Sequence, residues 1–369
     1  MIDLVSAAAI AAVGVFTILV AMAGVSVGLS WYHLRRDHRR HRRRDALREA
    51  LFDRLDRDDP ALDVWVADRS PEERDLLSEL ALTYLRSIEG SDREPFLELA
   101  WALWLGETAL EAYQQDERLH QIRGLSTLAL TDHPLDDLDL PAPDDDPRIR
   151  ECAARLLHER RDEIDDASRR ATALLVGDGS EPLSIYGLET LATVNASGAT
   201  PLLNLAEAAA ATWTTDLVIQ VCRVLEHTDQ VDVDAPIAWL YPYLTADSPT
   251  LRAAAIRAFK PHGWRDDVRD HIDLQRLLAD EDPQVRTAAY ETLAYWGDAS
   301  AREHLTWAII DEDHPRAQLR AIRGLLSIGA DPVEDSPGWP AEAWAWIDAE
   351  LEVSDRRALA HSRRQEVGP

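Results

Sequence analysis

The chain is 369 residues long and 46% hydrophobic, enough for two or three domains of about 150 residues with proper cores and too apolar to remain disordered. Its 39 basic and 67 acidic residues leave a formal net charge of −28, which excludes a generic nucleic-acid binder, because a phosphate backbone needs clustered cations to displace its counterions. The two cysteines, Cys152 and Cys222, form no CxxC pair, so an internal disulfide framework and a cysteine-built zinc site are excluded as well.

Residues 1–3 are the expected external N-terminus. No charged residue lies between Leu4 and Ser30, and this run exceeds the ~20 residues needed to cross ~30 Å of hydrocarbon. A cleavable signal would carry its positive charge ahead of the apolar run, where only Met1, Ile2 and Asp3 stand. Residues 4–30 are therefore expected to form one transmembrane helix. Trp31 and Tyr32 close it at interfacial depth, and Arg35, Arg36, Arg39, Arg40, Arg42, Arg43 and Arg44 follow in a basic juxtamembrane segment over 31–45. The positive-inside rule puts the N-terminus outside the cell membrane and the body in the cytoplasm. The arginines read as a topology anchor, with an anionic-lipid clamp of about 1 kcal/mol per cation as the sharper alternative. Gly24 and Gly28 form a GxxxG that would let a second transmembrane helix approach.

Residues 46–140 read as an N-terminal helical region, divergent repeats or a cap. One stretch, Trp101-Ala102-Leu103-Trp104-Leu105-Gly106 through Tyr113, touches the tetratricopeptide pattern once. Ile122-Arg123-Gly124-Leu125 is echoed by Ile322-Arg323-Gly324-Leu325. The acidic run Asp136, Asp137, Asp139, Asp144, Asp145, Asp146 lacks the Gly turn and closing Glu of a calcium loop and reads as a solvated linker.

From 141 to 330 one phrase returns: Asp146-Pro147-Arg148-Ile149-Arg150 with Cys152-Ala153, Asp247-Ser248-Pro249 to Arg252 with Ala253-Ala254, Asp282-Pro283 to Arg286 with Ala288-Ala289, and more loosely Asp313-His314-Pro315 to Arg320. Arg252, Arg286 and Arg320 are spaced by 34, and Arg150 lies 102 before Arg252. Two hidden units are thus expected, with their arginine slots at Ser184 and Val218. Each unit reads as two antiparallel helices, Asp and Pro capping the second. One hairpin cannot bury both faces, so the units must stack into an all-α solenoid whose second helices line the concave side. The phrase resembles that of HEAT repeats, in particular the short bacterial and archaeal kind, and the resemblance covers residues 144–330. It implies a ladder between units, for which Asp144 to Arg150 and Asp280 to Arg286 have a six-residue spacing, and Asp313 to Arg320 one longer. Residues 331–369 are expected to form a capping helix with Trp344 and Trp346, then a loose tail.

The sequence has one lysine, Lys260, beside 38 arginines. With the acid excess, this mix resembles the proteome of an extreme halophile, whose acidic surfaces hold water when molar salt has cut the Debye length to about 3 Å. HExxH, GxGxxG and GxxxxGK[ST] are absent from the sequence, so no catalytic residue, cofactor or metal is expected. His158-Glu159 and the reversed Glu303-His304 are too few for a di-iron hydroxylase of the repeat class. The cysteines read as small core residues, and Trp264, Trp296 and Trp307 as filler between repeats. Projecting the second helices away from their Ala faces leaves Arg257, Lys260, Thr287, Tyr290, Glu291, Tyr295 and Arg323 as candidates for a groove that binds a protein partner. The expectation is a membrane-anchored, non-catalytic scaffold for an integral-membrane partner such as a glycosyltransferase or a transporter. A HEAT-like lyase or metal hydroxylase and a self-assembling homo-oligomeric subunit are the alternatives.

Overall fold

The structure is a computed structural model that describes residues 40–329 apart from 58, 89, 136–137, 143, 163, 165, 199 and 229–233, together with Met22, Trp31, Ala345 and Ala349. The expected transmembrane span with Gly24 and Gly28, the basic positions Arg35, Arg36 and Arg39, Tyr32, and Trp344 and Trp346 lie outside the described residues. Among those described, no helix is long and apolar enough to cross a membrane, and all regular structure is helical. Two compact units divide between Asp137 and Leu138.

The first unit opens on a helix over residues 40–55 (α1), followed by α2 (Leu62–Ala67), α3 (Pro71–Ser87), α4 (Glu94–Ala102), α5 (Leu105–Tyr113) and α6 (Arg118–Leu128). Ser70 starts α3 with a capping box: its hydroxyl accepts from the Glu73 backbone N–H, and its own N–H donates to the Glu73 side chain. Leu51, Leu77, Leu80, Phe96 and Leu99 fill the core, and Phe52 and Phe96 pack their rings around Tyr84. Gly124 lets α6 press on α5, because an added Cβ would overlap the Ala109 carbonyl. The echoed phrase has the same use in the second unit, where a Cβ on Gly324 would crowd Ala294. Arg40 and Arg43, expected in the membrane anchor, form ion pairs with Glu79 and Glu72 of α3.

In the second unit the helices alternate between two roles. The second helices of successive hairpins are α7 (Pro147–Glu159), α9 (Ile185–Ala196), α11 (Thr215–Glu226), α12 (Pro249–Ala258), α15 (Pro283–Trp296) and α17 (Pro315–Ser327), and each packs on the next. Between them come α8 (Ala167–Val176), α10 (Thr200–Ala209), a 3₁₀ stretch (Ala238–Thr245), α13 (Asp266–His271) with α14 (Leu274–Leu278), and α16 (Ala299–Asp311). Of these, α8, α10 and the 3₁₀ stretch also stack in order. This is the repeat order of an α-solenoid.

The recurring phrase works as expected at the helix starts. Asp146, Ser248 and Asp282 cap α7, α12 and α15 through their side chains, each ahead of Pro at the first helical position. The alanines of the phrase, Ala153, Ala253, Ala254, Ala288 and Ala289, are buried. The period is less regular than 34: the second helices begin 38, 30, 34, 34 and 32 residues apart. Consequently Ser184 is no arginine slot but the N-cap of α9, its hydroxyl accepting from the Gly187 N–H.

Candidate functional site

Two sets of side chains on the second helices govern what the solenoid can present: a ladder that closes the corners of the hairpins, and the surface those helices leave open. The ladder is set by the fourth residue of each second helix, namely Arg150, Leu188, Val218, Arg252, Arg286 and Gln318. Arg252 folds back so that Nη1 donates to the Ala246 carbonyl (2.8 Å), while Nε and Nη2 reach forward to Asp280 Oδ2 (2.8 Å) and Oδ1 (2.7 Å). Arg286 repeats this one unit on: Nη1 donates to the Asp280 carbonyl (2.8 Å), and Nε and Nη2 to Glu312 Oε2 (2.9 Å) and Oε1 (2.6 Å). Each guanidinium thus ties its own loop and the next repeat with one planar fork.

Three expected rungs are placed differently. Glu312, not Asp313, takes Arg286. The Asp313 carboxylate is 93% exposed and reaches only to 3.4 Å. Arg320 is the sixth residue of α17, too late for the corner, and turns to Glu291 Oε1 at 3.5 Å. Gln318 stands in the slot instead, donating to the Glu312 carbonyl (3.0 Å). Arg150 bonds the carbonyls of Asp145 (3.1 Å) and Leu174 (2.8 Å) rather than Asp144. Gly177, with φ of 59°, leaves the room for that guanidinium.

Glu312 is the most enclosed of these carboxylates. Besides Arg286 it accepts from Tyr290 Oη (2.7 Å) and the His314 N–H (2.9 Å). Burial alone raises its pKa, but the donors from Arg286, Tyr290 and His314 outweigh burial and hold it below the ordinary glutamate value. The partner Arg286 is pushed up by its hydrogen bonds to Glu312. Asp280 shows the same balance, burial opposed by Arg252 and the Asp282 N–H, with a net lowering. Tyr290, expected in the groove, is therefore a core residue, 1% exposed.

The open surface is organised by the ninth residue of each second helix: Arg155, Thr193, Arg223, Arg257, Glu291 and Arg323. Arg257 Nε donates to Glu291 Oε2 (2.8 Å), an ion pair between equivalent positions of adjacent repeats. Lys260 does the same with Glu226 (2.5 Å). Two of the expected groove cations are thus spent between repeats. Thr287 bonds back to the Pro283 carbonyl (2.7 Å), and Tyr295 is 63% exposed at the end of α15. Trp264 and Trp307 are exposed rather than filling gaps. Trp296 does fill one, donating Nε1 to the Lys260 carbonyl (3.2 Å) under the Arg269 guanidinium.

Beside these pairs, α9, α11 and α12 enclose a groove of about 460 Å³. Its apolar floor is Leu188, Ala192, Ile219, Val224 and Ala254, and its polar edge is Asn195, Arg223, His227 and Arg257. Arg223 is exposed and has no carboxylate partner among the described residues. Sequence reasoning passed over Arg223, although it lies 34 before Arg257 and the lattice could have found it. Asn195 carried no such signal, because the slot at Ser184 set α9 one turn out of register. A larger concavity in the first unit, about 1230 Å³, is bordered by the exposed Trp101 and Trp104.

Among the described residues, no group of three or more His, Cys, Asp or Glu could hold a metal ion. Cys152 and Cys222 are buried and not joined in a disulfide. Burial pushes Cys222 up to about 12, away from nucleophilic chemistry.

Among curated proteins, none matches the sequence. A crystal structure of an engineered protein is similar over 73% of this chain and 99% of its own, at 19% identity and a TM-score of 0.24. Residues 273–336 match the family model for HEAT repeats, which supports reading the chain as a HEAT-repeat protein.

Proposed function

We propose that this chain is a membrane-tethered, non-catalytic adaptor whose second-helix groove docks a polypeptide partner in the cytoplasm. HEAT repeats are helical repeats that often mediate protein interactions. The observation that carries the reading is the groove across α9, α11 and α12, held in register by ion pairs between repeats and keeping an unpaired arginine at its rim. Such a surface offers shape and charge to a chain laid across several repeats. The apolar run of residues 4–30 would confine it to the layer beneath the bilayer, where even a modest affinity suffices at high effective concentration. An integral-membrane enzyme, such as a glycosyltransferase, or a transporter is the partner class this placement favours.

The test is a photoreactive side chain introduced at Ala192 of the full-length protein in native membranes, with Gln275 of α14 as control. A discrete integral-membrane protein crosslinked from position 192 and not from 275 is expected. Equal yields from both positions, or crosslinks to a second copy alone, would refute the docking face.

A further inference from the structure

The concavity of the first unit, bounded by α2, α3, α4 and the start of α5, is held open by a backbone that its side chains do not favour. Trp104, the N-cap of α5, has φ of 58° and ψ of 34°, a left-handed conformation that suits glycine and is rare for a bulky residue. A strained residue is ordinarily secured by the packing of its side chain, yet the Trp104 side chain is not packed away: the residue is 66% exposed. The fold thus holds a large indole at the rim of the cavity and gains little from its burial. Strain of this kind gathers at ligand clamps. On the opposite rim Ala61 is left-handed as well, with φ of 39°. Its N–H donates to Asp59 Oδ1 (3.2 Å), and Arg54 Nη2 donates to its carbonyl (3.4 Å). Trp101, also exposed, lies beside the His133 ring at 6.4 Å between centroids.

The charges narrow the occupant. Asp63 of α2, Asp75 of α3 and Glu98 of α4 converge on this cavity from three helices, all exposed and none in an ion pair among the described residues. Arg74 is the one cation in the lining. Carboxylates are plentiful on a chain of net charge −28 and by themselves assign nothing. Joined to two indoles they select a cation that can lie flat on an aromatic face while donating to carboxylates, which describes a guanidinium better than an ammonium. A lipid surface would have to take up the three carboxylates with the indoles. The space, about 1230 Å³, exceeds what a lone cation fills, and Leu62, Val66 and Leu105 give it an apolar floor. An arginine next to an apolar residue in a peptide meets both demands.

We infer that the first unit binds an arginine-bearing peptide segment, its guanidinium against the Trp104 indole and among the carboxylates of Asp63, Asp75 and Glu98. The site lies in a different unit from the α9–α11–α12 groove and stands or falls without it. The probe is N-acetyl-arginyl-leucine amide, titrated by ligand-observed NMR against the full chain in maltoside micelles. Saturable binding near 1 mM is expected for a ligand of this size, with the arginine Cδ protons moving upfield as they enter the shielding zone of an indole. The citrullyl analogue, of the same shape but uncharged, should bind about tenfold more weakly. The arginyl probe should lose about tenfold against Asp75→Asn with Glu98→Gln, and about fivefold against Trp104→Gly.

Glycine accepts the Trp104 backbone conformation without strain, so Trp104→Gly should keep Tm within about 4 °C of the native chain. A larger loss would mean that the indole serves the fold and would overturn the inference. No saturable binding up to about 10 mM, equal binding of the arginyl and citrullyl probes, or arginine protons that do not move upfield would each overturn it on the native chain, whatever the variants do.

Discussion

Replacing Glu312 by alanine separates the ladder in the structure from the one the sequence suggests. The change removes the acceptor of Arg286 Nε and Nη2, of Tyr290 Oη and of the His314 N–H at once. Tyr290 is 1% exposed, so its hydroxyl cannot turn to water and forfeits about 1–3 kcal/mol. Arg286 is 14% exposed and keeps its carbonyl contacts and the long reach to Asp313, and breaking so enclosed a pair costs about 3 kcal/mol, the lower end for a fully buried one. A total loss of about 4–6 kcal/mol follows, or about 8–24 °C in Tm for a unit of this size. Asp313→Ala removes a carboxylate that is 93% exposed and should cost at most about 0.5 kcal/mol. The assay is urea unfolding of the full-length protein followed by circular dichroism, with Tyr290→Phe in both backgrounds. Tyr290→Phe should recover part of the Glu312→Ala loss. Equal costs for the two acidic substitutions, or a Glu312→Ala loss under about 1 kcal/mol, would refute the reasoning.

His262 is 1% exposed, and burial, with the Arg265 charge, lowers its pKa to about 4. A base that is harder to protonate when folded costs stability as pH falls through its unfolded value of 6.5, up to about 3 kcal/mol by pH 4. His262→Phe should remove that share, so a native-minus-variant difference that stays flat between pH 7 and 4 would contradict the assignment. Gly177→Ala should cost about 2–3 kcal/mol in denaturant unfolding, because φ is 59° and the new methyl would displace the Arg150 guanidinium from the Leu174 carbonyl. A neutral substitution there would show that Arg150 does not need the space. Native protein at pH 8 should leave Cys222 unalkylated by iodoacetamide while guanidinium-unfolded protein reacts fully, since burial drives its thiolate fraction down about a thousandfold. Modification of Cys222 at the rate of an open thiol would place it outside the core.

The architecture was legible because its causes are local and periodic. Asp or Ser before Pro marks a helix start whatever surrounds it, since the cap bonds its own first turn, and Ala pairs at fixed offsets mark where helices must approach. The stacking order of α7, α9, α11, α12, α15 and α17 follows from one hairpin's inability to bury both faces.

The pairing of charges was not legible in the same way. Glu312 and Asp313 are adjacent in the chain and chemically alike, and only the path of the backbone after α16 points one at Arg286 and the other at solvent. The late position of Arg320 in α17 likewise hands the corner to Gln318, a residue with no motif value. The uneven spacing of the second helices moved the α9 slot from Ser184 to Leu188, which a constant period could not reveal. Sequence alone determined that stacked helical hairpins form and where their helices begin, because capping and apolar periodicity act within a few residues. Tertiary structure alone decided which cations are neutralised across repeats and which, like Arg223 beside Asn195, are left facing the groove, because that depends on distances between side chains some thirty residues apart.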